Sequence, residues 1–109
     1  MIDLVLLTHP DPDAAKNLVS RLVNEHLVAC GHLLPPGTSF FFWQNEIKAE
    51  SEVTILLKSV QENRQVLERE IRREHPYSVP EILFFSVDHG TEDYLAWVRE
   101  SCRTAPEER

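Results

Sequence analysis

The sequence predicts an α+β domain with the ferredoxin-like element order βαββαβ and one further helix at the C-terminal end. Three observations favour this class. The chain has 109 residues, which suits one compact core. Short apolar runs typical of strands are interleaved with segments whose apolar residues recur every three or four positions. Two β-rich segments follow each other with only a turn between them, as in a hairpin.

In this class, right-handed crossovers produce an antiparallel sheet of four strands in the order 4-1-3-2, with the helices on one face. We therefore interpret residues 1–109 as a single ferredoxin-like domain, in which residues 103–109 form a loose tail.

The first element is a strand over residues 2–8, a run of leucine and β-branched residues that stops at His9 and Pro10. Asp11 is a suitable N-cap for the next helix, because its carboxylate can accept backbone N–H groups and Pro12 needs no N–H at the first helical position. We expect this helix to end near residue 25. Its apolar stripe consists of Ala15, Leu18, Val19, Leu22 and Val23.

A long hairpin follows, with arms over residues 28–43 and 47–58 around Gln44, Asn45 and Glu46. Pro35, Pro36 and Gly37 interrupt the first arm, which predicts a bulge or kink on an edge strand, since proline cannot donate to a sheet ladder.

The second half of the chain repeats the helix and strand. Ser59 and Glu62 have capping-box spacing, so we expect the second helix to begin there and to stop near Glu74, before Pro76. Residues 80–87 read as a buried strand. Thr91 can then cap the last helix, on which Tyr94, Leu95, Val98 and Cys102 share one face.

Four adjacent aromatic residues, Phe40, Phe41, Phe42 and Trp43, lie in the first hairpin arm. Because side chains alternate across a strand, both faces of this arm carry large apolar groups. Such a patch on a small acidic protein usually marks an interface, and we infer a homo-oligomer. The alternative is a locally twisted strand that lies under the terminal helix.

Composition excludes several partners. The formal net charge of −7 comes without a basic stripe, so we expect no nucleic acid as a main partner. Fully apolar runs such as Leu4 to Leu7 are far shorter than the roughly 20 residues that cross a bilayer. The amino end has no signal-peptide pattern, and Cys30 and Cys102 form no CxxC pair. We expect a cytoplasmic protein with reduced thiols that does not enter membranes.

The chain contains no nucleophile with an adjacent base, no glycine-rich phosphate loop and no HExxH motif. We therefore predict that it is not an enzyme and that it uses no organic cofactor.

Several sequence blocks, in one order, resemble the CutA divalent-cation tolerance family from Val5 to about Ser101. The resemblance implies a ferredoxin-like homotrimer whose long hairpin braces its neighbours, with a role in tolerance of copper and other divalent metal ions. On this reading, Phe40, Phe41, Phe42, Trp43 and Trp97 lie at the trimer interface. The blocks are Leu27-Val28-Ala29-Cys30, Pro36-Gly37-Thr38-Ser39, Trp43-Gln44, Ser51-Glu52-Val53, His75-Pro76-Tyr77-Ser78-Val79-Pro80-Glu81-Ile82 and Asp93-Tyr94-Leu95-Ala96-Trp97.

The chain departs from the family at suggested copper ligands. Some members carry a cysteine near the end of the first strand and a His-His pair before Pro-Tyr, where this chain has Leu7 and the pair Glu74-His75. A remaining site would be of imidazole and carboxylate character, suited to Cu(II) or another divalent metal. The topology places His9, His75 and Glu74 at one edge of the sheet, and these three are the candidate ligands. The alternative is that His9 is a turn residue and His75 a helix-stop residue that bonds a last-turn carbonyl.

The expected function is thus a trimeric, non-catalytic divalent-metal binding and tolerance protein. Two alternatives stay open: a trimeric signalling module of the PII kind that binds a small effector at a subunit cleft, and a stable scaffold with only an indirect link to metal tolerance.

Overall fold

The computed structural model describes residues 1–104. The elements follow the order β1 (Ile2–His9), α1 (Pro12–Asn24), β2 (Cys30–Leu33), β3 (Gly37–Trp43), β4 (Glu46–Val60), α2 (Arg64–Glu74), β5 (Ile82–Ser86) and α3 (Glu92–Ser101). A short 3-10 turn, Gln61–Asn63, joins β4 to α2. The ferredoxin-like α+β class is confirmed.

The sheet differs from the prediction in one detail. The first hairpin arm forms two strands, so the sheet has five strands, with β2, β4, β1 and β5 in that order and β3 paired to β4. Pro35 and Pro36 lie between β2 and β3 and provide no backbone N–H to the ladder. When β2 and β3 are counted as one arm, the strands lie in the predicted order.

Local signals placed the first helix correctly. The Asp11 carboxylate accepts the backbone N–H groups of Asp13 and Ala14, at 3.0 and 3.1 Å. Four residues of the predicted stripe are buried, whereas Val23 is exposed.

The predicted start of the second helix was wrong. Ser59 lies inside β4, opposite Asp3 of β1, and its hydroxyl donates to the Leu27 carbonyl oxygen at 2.7 Å rather than capping a helix. Strand pairing with β1 extends β4 to Val60, and α2 begins at Arg64. Its end at Glu74, before Pro76, is as predicted.

The main core lies between the sheet and the helices α1 and α2. It contains alternate residues of the central strands, including Val5, Leu7, Ile55 and Leu57, with Leu18, Leu22, Leu67 and Ile71 of the helices. A second, smaller cluster joins Ile2, Ala29 and Val60 to Val98 of α3. Since side chains alternate along a strand, Ile2 and Val60 belong to the opposite sheet face from Val5 and Leu57, and α3 covers only the end of that face.

The C-terminal segment is held as far as Arg103. Its backbone N–H donates to the His26 carbonyl at 2.8 Å, and its carbonyl accepts from the Asn63 side chain at 2.7 Å. Residues 105–109 of the predicted loose tail lie outside the described residues.

Candidate functional site

Two histidines meet where β1 and α2 end. His9 is the last residue of β1 and His75 is the C-cap of α2, which Pro76 prevents from continuing. Their ring centroids lie 4.8 Å apart, and both rings are buried. The structure therefore brings together two of the three predicted metal ligands.

The hydrogen bonds of His75 occupy both of its ring nitrogens. Nδ1 accepts the backbone N–H of Tyr77 at 3.1 Å. Nε2 lies 2.7 Å from the Thr8 carbonyl oxygen, and since a carbonyl can only accept, Nε2 carries the proton. With both ring nitrogens hydrogen bonded in this way, His75 has no free lone pair for a metal ion. Its partner is a carbonyl of β1, not of the last helical turn.

The ring of His9 is more deeply buried than the ring of His75. Nδ1 accepts the backbone N–H of Asp11 at 3.0 Å, while the buried Nε2 has no hydrogen-bond partner among the described residues. Burial, followed by the Coulombic effect of the adjacent His75, lowers the pKa of His9 below its ordinary 6.5, against smaller opposing effects of the Glu74 backbone and of Asp11 and Glu52.

Glu74, the third predicted ligand, is directed to a different partner. Its carboxylate forms an ion pair with Arg21 of α1, which also pairs with Glu25 and Glu70 at 3.2 and 2.9 Å. Across residues 1–104, no three His, Cys, Asp or Glu side chains are placed to hold one metal ion. In this arrangement His9, Glu74 and His75 are not placed to hold one metal ion, because both ring nitrogens of His75 are hydrogen bonded and the Glu74 carboxylate is directed to Arg21.

The predicted interface aromatics lie on both faces of the β3–β4 hairpin. Phe40 and Phe42 pair with Ala49 and Ile47, so these residues share one face. Phe41 and Trp43 pair with Lys48 and Glu46 on the other face. Gln44 and Asn45 have positive φ angles of 50° and 65°, which is the two-residue turn that matches hairpin twist. All four aromatic side chains are exposed in the single chain, and the terminal helix does not cover them.

The sheet face opposite α1 and α2 is also partly open. Leu83 and Phe85 of β5 are about half exposed on it. Tyr94 and Trp97 of α3, with ring centroids 5.6 Å apart, are exposed to a similar degree. Trp97 therefore does not pack in the core of one chain.

A groove that sequence reasoning missed lies between the hairpin and residues 76–81. Its volume is about 740 Å³, and its lining includes Phe41, Trp43, Glu52, Tyr77 and Val79. At its floor, the Glu52 carboxylate accepts hydrogen bonds from the hydroxyls of Ser39 and Tyr77, at 2.6 and 2.9 Å. Burial and the nearby carboxylates of Glu52 and Glu50 raise the pKa of Tyr77 to about 12.

A signal for this groove is present in the sequence. Glu46, Lys48, Glu50 and Glu52 alternate along one arm, which places four charged residues on one strand face, beside the aromatic residues of the other arm. The aromatic residues alone predicted an assembly surface, whereas their combination with these charges indicates a groove.

Within residues 1–104, no helix is long and apolar enough to cross a membrane.

The chain is similar in sequence to proteins of one known family. The family model described as CutA1 divalent ion tolerance protein matches residues 3–101. A divalent-cation tolerance protein CutA from Citrobacter koseri is 39% identical over 100 residues, which cover 92% of this chain and 87% of that protein. The protein of the same description from Yersinia pestis is 41% identical over 98 residues, covering 90% of this chain and 82% of the relative.

Solved structures show the same architecture. The divalent cation tolerance protein (Cut A1) from Thermus thermophilus superposes with a TM-score of 0.90 at 34% identity, over 94% of this chain and 100% of that chain. CutA1 from Oryza sativa gives a TM-score of 0.92 at 26% identity, over 95% of both chains.

Proposed function

The chain belongs to the CutA1 divalent ion tolerance family, and on this premise we propose that it acts in tolerance of divalent cations as a homotrimer that catalyses no reaction. The observation that carries the proposal is the hairpin with apolar side chains exposed on both faces. Three is the number of copies that the family resemblance implies.

The exposure of the hairpin supports assembly. Phe42 is 73% exposed and Ile47 on the same face is 73% exposed. Burying one such side chain stabilises a protein by about 1.5–3 kcal/mol, so an assembly that covers these residues is more stable than the separate chains. The open sheet face with Leu83, Phe85 and Trp97 adds a second apolar area. In the proposed trimer, neighbouring copies cover Phe40, Phe42 and Trp97, while Phe41 and Trp43 line the cleft at the boundary.

The absence of catalysis is supported by the environment of the candidate nucleophiles. The hydroxyl of Ser39 donates to Glu52, and Ser86 accepts from Arg64 at 3.0 Å. Within the described residues, no serine or threonine hydroxyl is hydrogen bonded to a histidine ring, which is the contact that would activate a nucleophile.

We also propose a cytoplasmic location. Cys30 and Cys102 are both free thiols, a state that a reducing compartment maintains.

Direct uptake of Cu(II) or another divalent metal by His9, Glu74 and His75 stays a prediction. The hydrogen bonds and ion pair of His75 and Glu74 argue against it, since both residues would have to give up buried or charged partners. The proposed role in tolerance therefore does not depend on a metal ion at these three residues.

Sedimentation velocity tests the assembly. We expect a species of about 38 kDa, three times the chain mass of 12.6 kDa, at micromolar concentration. The double substitution Phe40→Ser and Phe42→Ser should shift the protein towards the monomer, whereas Val23→Ser, at an exposed apolar position on α1, should leave the trimer intact. A wild-type protein that sediments only as a monomer would refute the proposal.

The groove favours a second candidate function, the binding of a small effector at a subunit cleft. It combines aromatic walls with a buried polar floor, which is the usual composition of a small-molecule site. Thermal-shift measurements against divalent metals and small molecules would separate the two functions, because a ligand at 100 times its Kd adds about 2.7 kcal/mol of stability.

A further inference from the structure

We propose that the groove between the β3–β4 hairpin and residues 76–81 binds a small organic cation that carries an apolar group, with Glu52 as its counter-charge. The inference rests on the second candidate function and specifies its class of ligand. It does not depend on a metal ion bound at the histidine pair.

The first step concerns the charge of Glu52. This residue is 8% exposed, and both of its carboxylate oxygens accept hydrogen bonds from hydroxyl groups. Two hydroxyl donors, one on each oxygen, stabilise the negatively charged carboxylate.

Among the described residues, Glu52 has no cationic partner. Within residues 1–104, no lysine, arginine or histidine nitrogen forms an ion pair with Glu52. Glu52 has an electrostatic effect on the buried ring of His9, but the two residues form no ion pair in the part of the chain that the structure describes. Buried charges are normally paired, because desolvation costs several kcal/mol per ion. The unpaired carboxylate therefore favours a cation from outside the chain.

The third step concerns the walls of the groove. Phe41 and Trp43 lie on the same strand face as each other and border the groove, and Val79 adds an apolar side chain from the facing segment. Aromatic faces attract organic cations, and they also bind the apolar part of a ligand. A compact, hydrated cation such as a metal ion has no apolar part to pack against these walls, and its water shell separates it from the aromatic faces.

The surrounding charge has the same sign as Glu52. Glu50 and Glu81 also line the groove, against the single lining cation Lys48, which is paired with Glu46 at 3.3 Å. An anion such as a nucleotide would need several cations around its phosphates and is disfavoured here. A metal ion is disfavoured because the described carboxylates and imidazoles are too dispersed to surround one.

Calorimetric titration of the intact protein with benzylammonium and with benzyl alcohol tests the proposal. The two probes share the aromatic ring and differ in charge. We expect benzylammonium to bind at least tenfold more tightly than benzyl alcohol. Glu52→Gln keeps the shape and one acceptor oxygen, removes the charge and should abolish this preference, whereas Glu62→Gln, in the 3-10 turn outside the groove, should preserve it.

These outcomes distinguish a groove that does not select cations from a groove that binds no effector. Equal affinity for both probes, or a preference that survives in Glu52→Gln, would overturn the assignment of a cation while leaving an effector groove. Failure of both probes to bind would overturn the groove as an effector site. That result is expected if a lysine or arginine side chain of a second copy already occupies the groove. If Glu52→Gln does not fold, the ratio of affinities in the unmodified protein still decides between these outcomes.

Discussion

The buried imidazole rings of His9 and His75 lie with their centroids 4.8 Å apart and use their nitrogens differently. Within the described part of the chain, His75 has a partner at each nitrogen, whereas His9 has one only at Nδ1. The pair connects the end of β1 to the end of α2 and, through Tyr77, to the floor of the groove at Glu52. Its hydrogen bonds indicate a structural junction.

The first prediction is that His75→Ala changes the affinity for Cu(II) by less than threefold, because both ring nitrogens already have protein partners. Calorimetry on metal-free protein measures this, with His89→Ala as a control at an exposed histidine. A loss of tenfold or more, specific to His75→Ala, would show that the ring leaves its partners to bind metal and would support the ligand set predicted from the sequence.

The second prediction concerns acid stability. The pKa of His9 is lowered in the folded state, so below pH 6.5 the unfolded chain takes up a proton that the folded chain does not. The stabilisation that comes from neutral His9 is therefore complete above pH 6.5 and is lost as the pH falls towards the folded-state pKa. We expect His9→Asn, which keeps an acceptor for the Asp11 N–H, to flatten the dependence of the free energy of unfolding on pH in this range.

Urea unfolding at a series of pH values and one protein concentration measures this dependence. The substitution His89→Asn, at an exposed site, should retain the wild-type slope. Identical slopes for His9→Asn and the wild type would show that His9 does not carry the effect.

The third prediction concerns the ion pair of Asp3 and Arg64. Asp3 is fully buried in β1, and Arg64 at the start of α2 donates to both of its oxygens, at 2.5 and 2.8 Å. Arg64→Met would leave a buried carboxylate without its cation. We expect a loss of roughly 2–4 kcal/mol in the free energy of unfolding, less than for a fully buried pair because the Arg64 side chain is partly exposed.

The control for that substitution is Arg72→Met, which removes an exposed pair with Glu68 on the same helix. Surface pairs of this kind contribute about 0.3–0.5 kcal/mol, so the two variants should differ by more than 1 kcal/mol. Equal losses in the two variants would contradict the importance of the Asp3 contact.

The fourth prediction compares two glycines. A Cβ atom at Gly31 would lie 2.5 Å from Cγ1 of Val19 and 2.9 Å from Cδ2 of Leu57, so Gly31 permits the close approach of α1 to the sheet. Gly31→Ala should destabilise the protein by about 1–3 kcal/mol. At Gly37 the added atom would have no neighbour within 4 Å, and Gly37→Ala should be close to neutral. Thermal unfolding of both variants measures the difference, and a neutral Gly31→Ala would contradict the packing argument.

The start of α1 and the end of α2 depend on signals that act over a few residues, and both were interpreted correctly. Asp11 caps α1 because the N–H groups that it accepts are two and three residues away. The stop at Pro76 is equally local, since a proline disrupts its own helical turn. By contrast, the capping-box pattern at Ser59 was overridden, because pairing with β1 and a bond to Leu27 satisfy the same groups over a long distance.

The histidine pair shows the same difference between local signals and long-range contacts. The strand order was enough to predict that His9 and His75 lie near each other, because it places their two element ends at one sheet edge. It could not predict that the Thr8 carbonyl and the Tyr77 N–H occupy the ring of His75, since these contacts depend on side-chain rotation and on the path of the chain after Pro76.

Periodicity, caps and strand alternation act locally along the chain, so the fold class, the order of the elements and the aromatic residues on both faces of the hairpin follow from the sequence alone. The folded structure was needed to find which polar groups are already paired, that Glu74 pairs with Arg21, and that Glu52 lies buried at the floor of a groove. Those properties depend on atoms that are far apart in the chain and become neighbours only when the sheet and helices pack together.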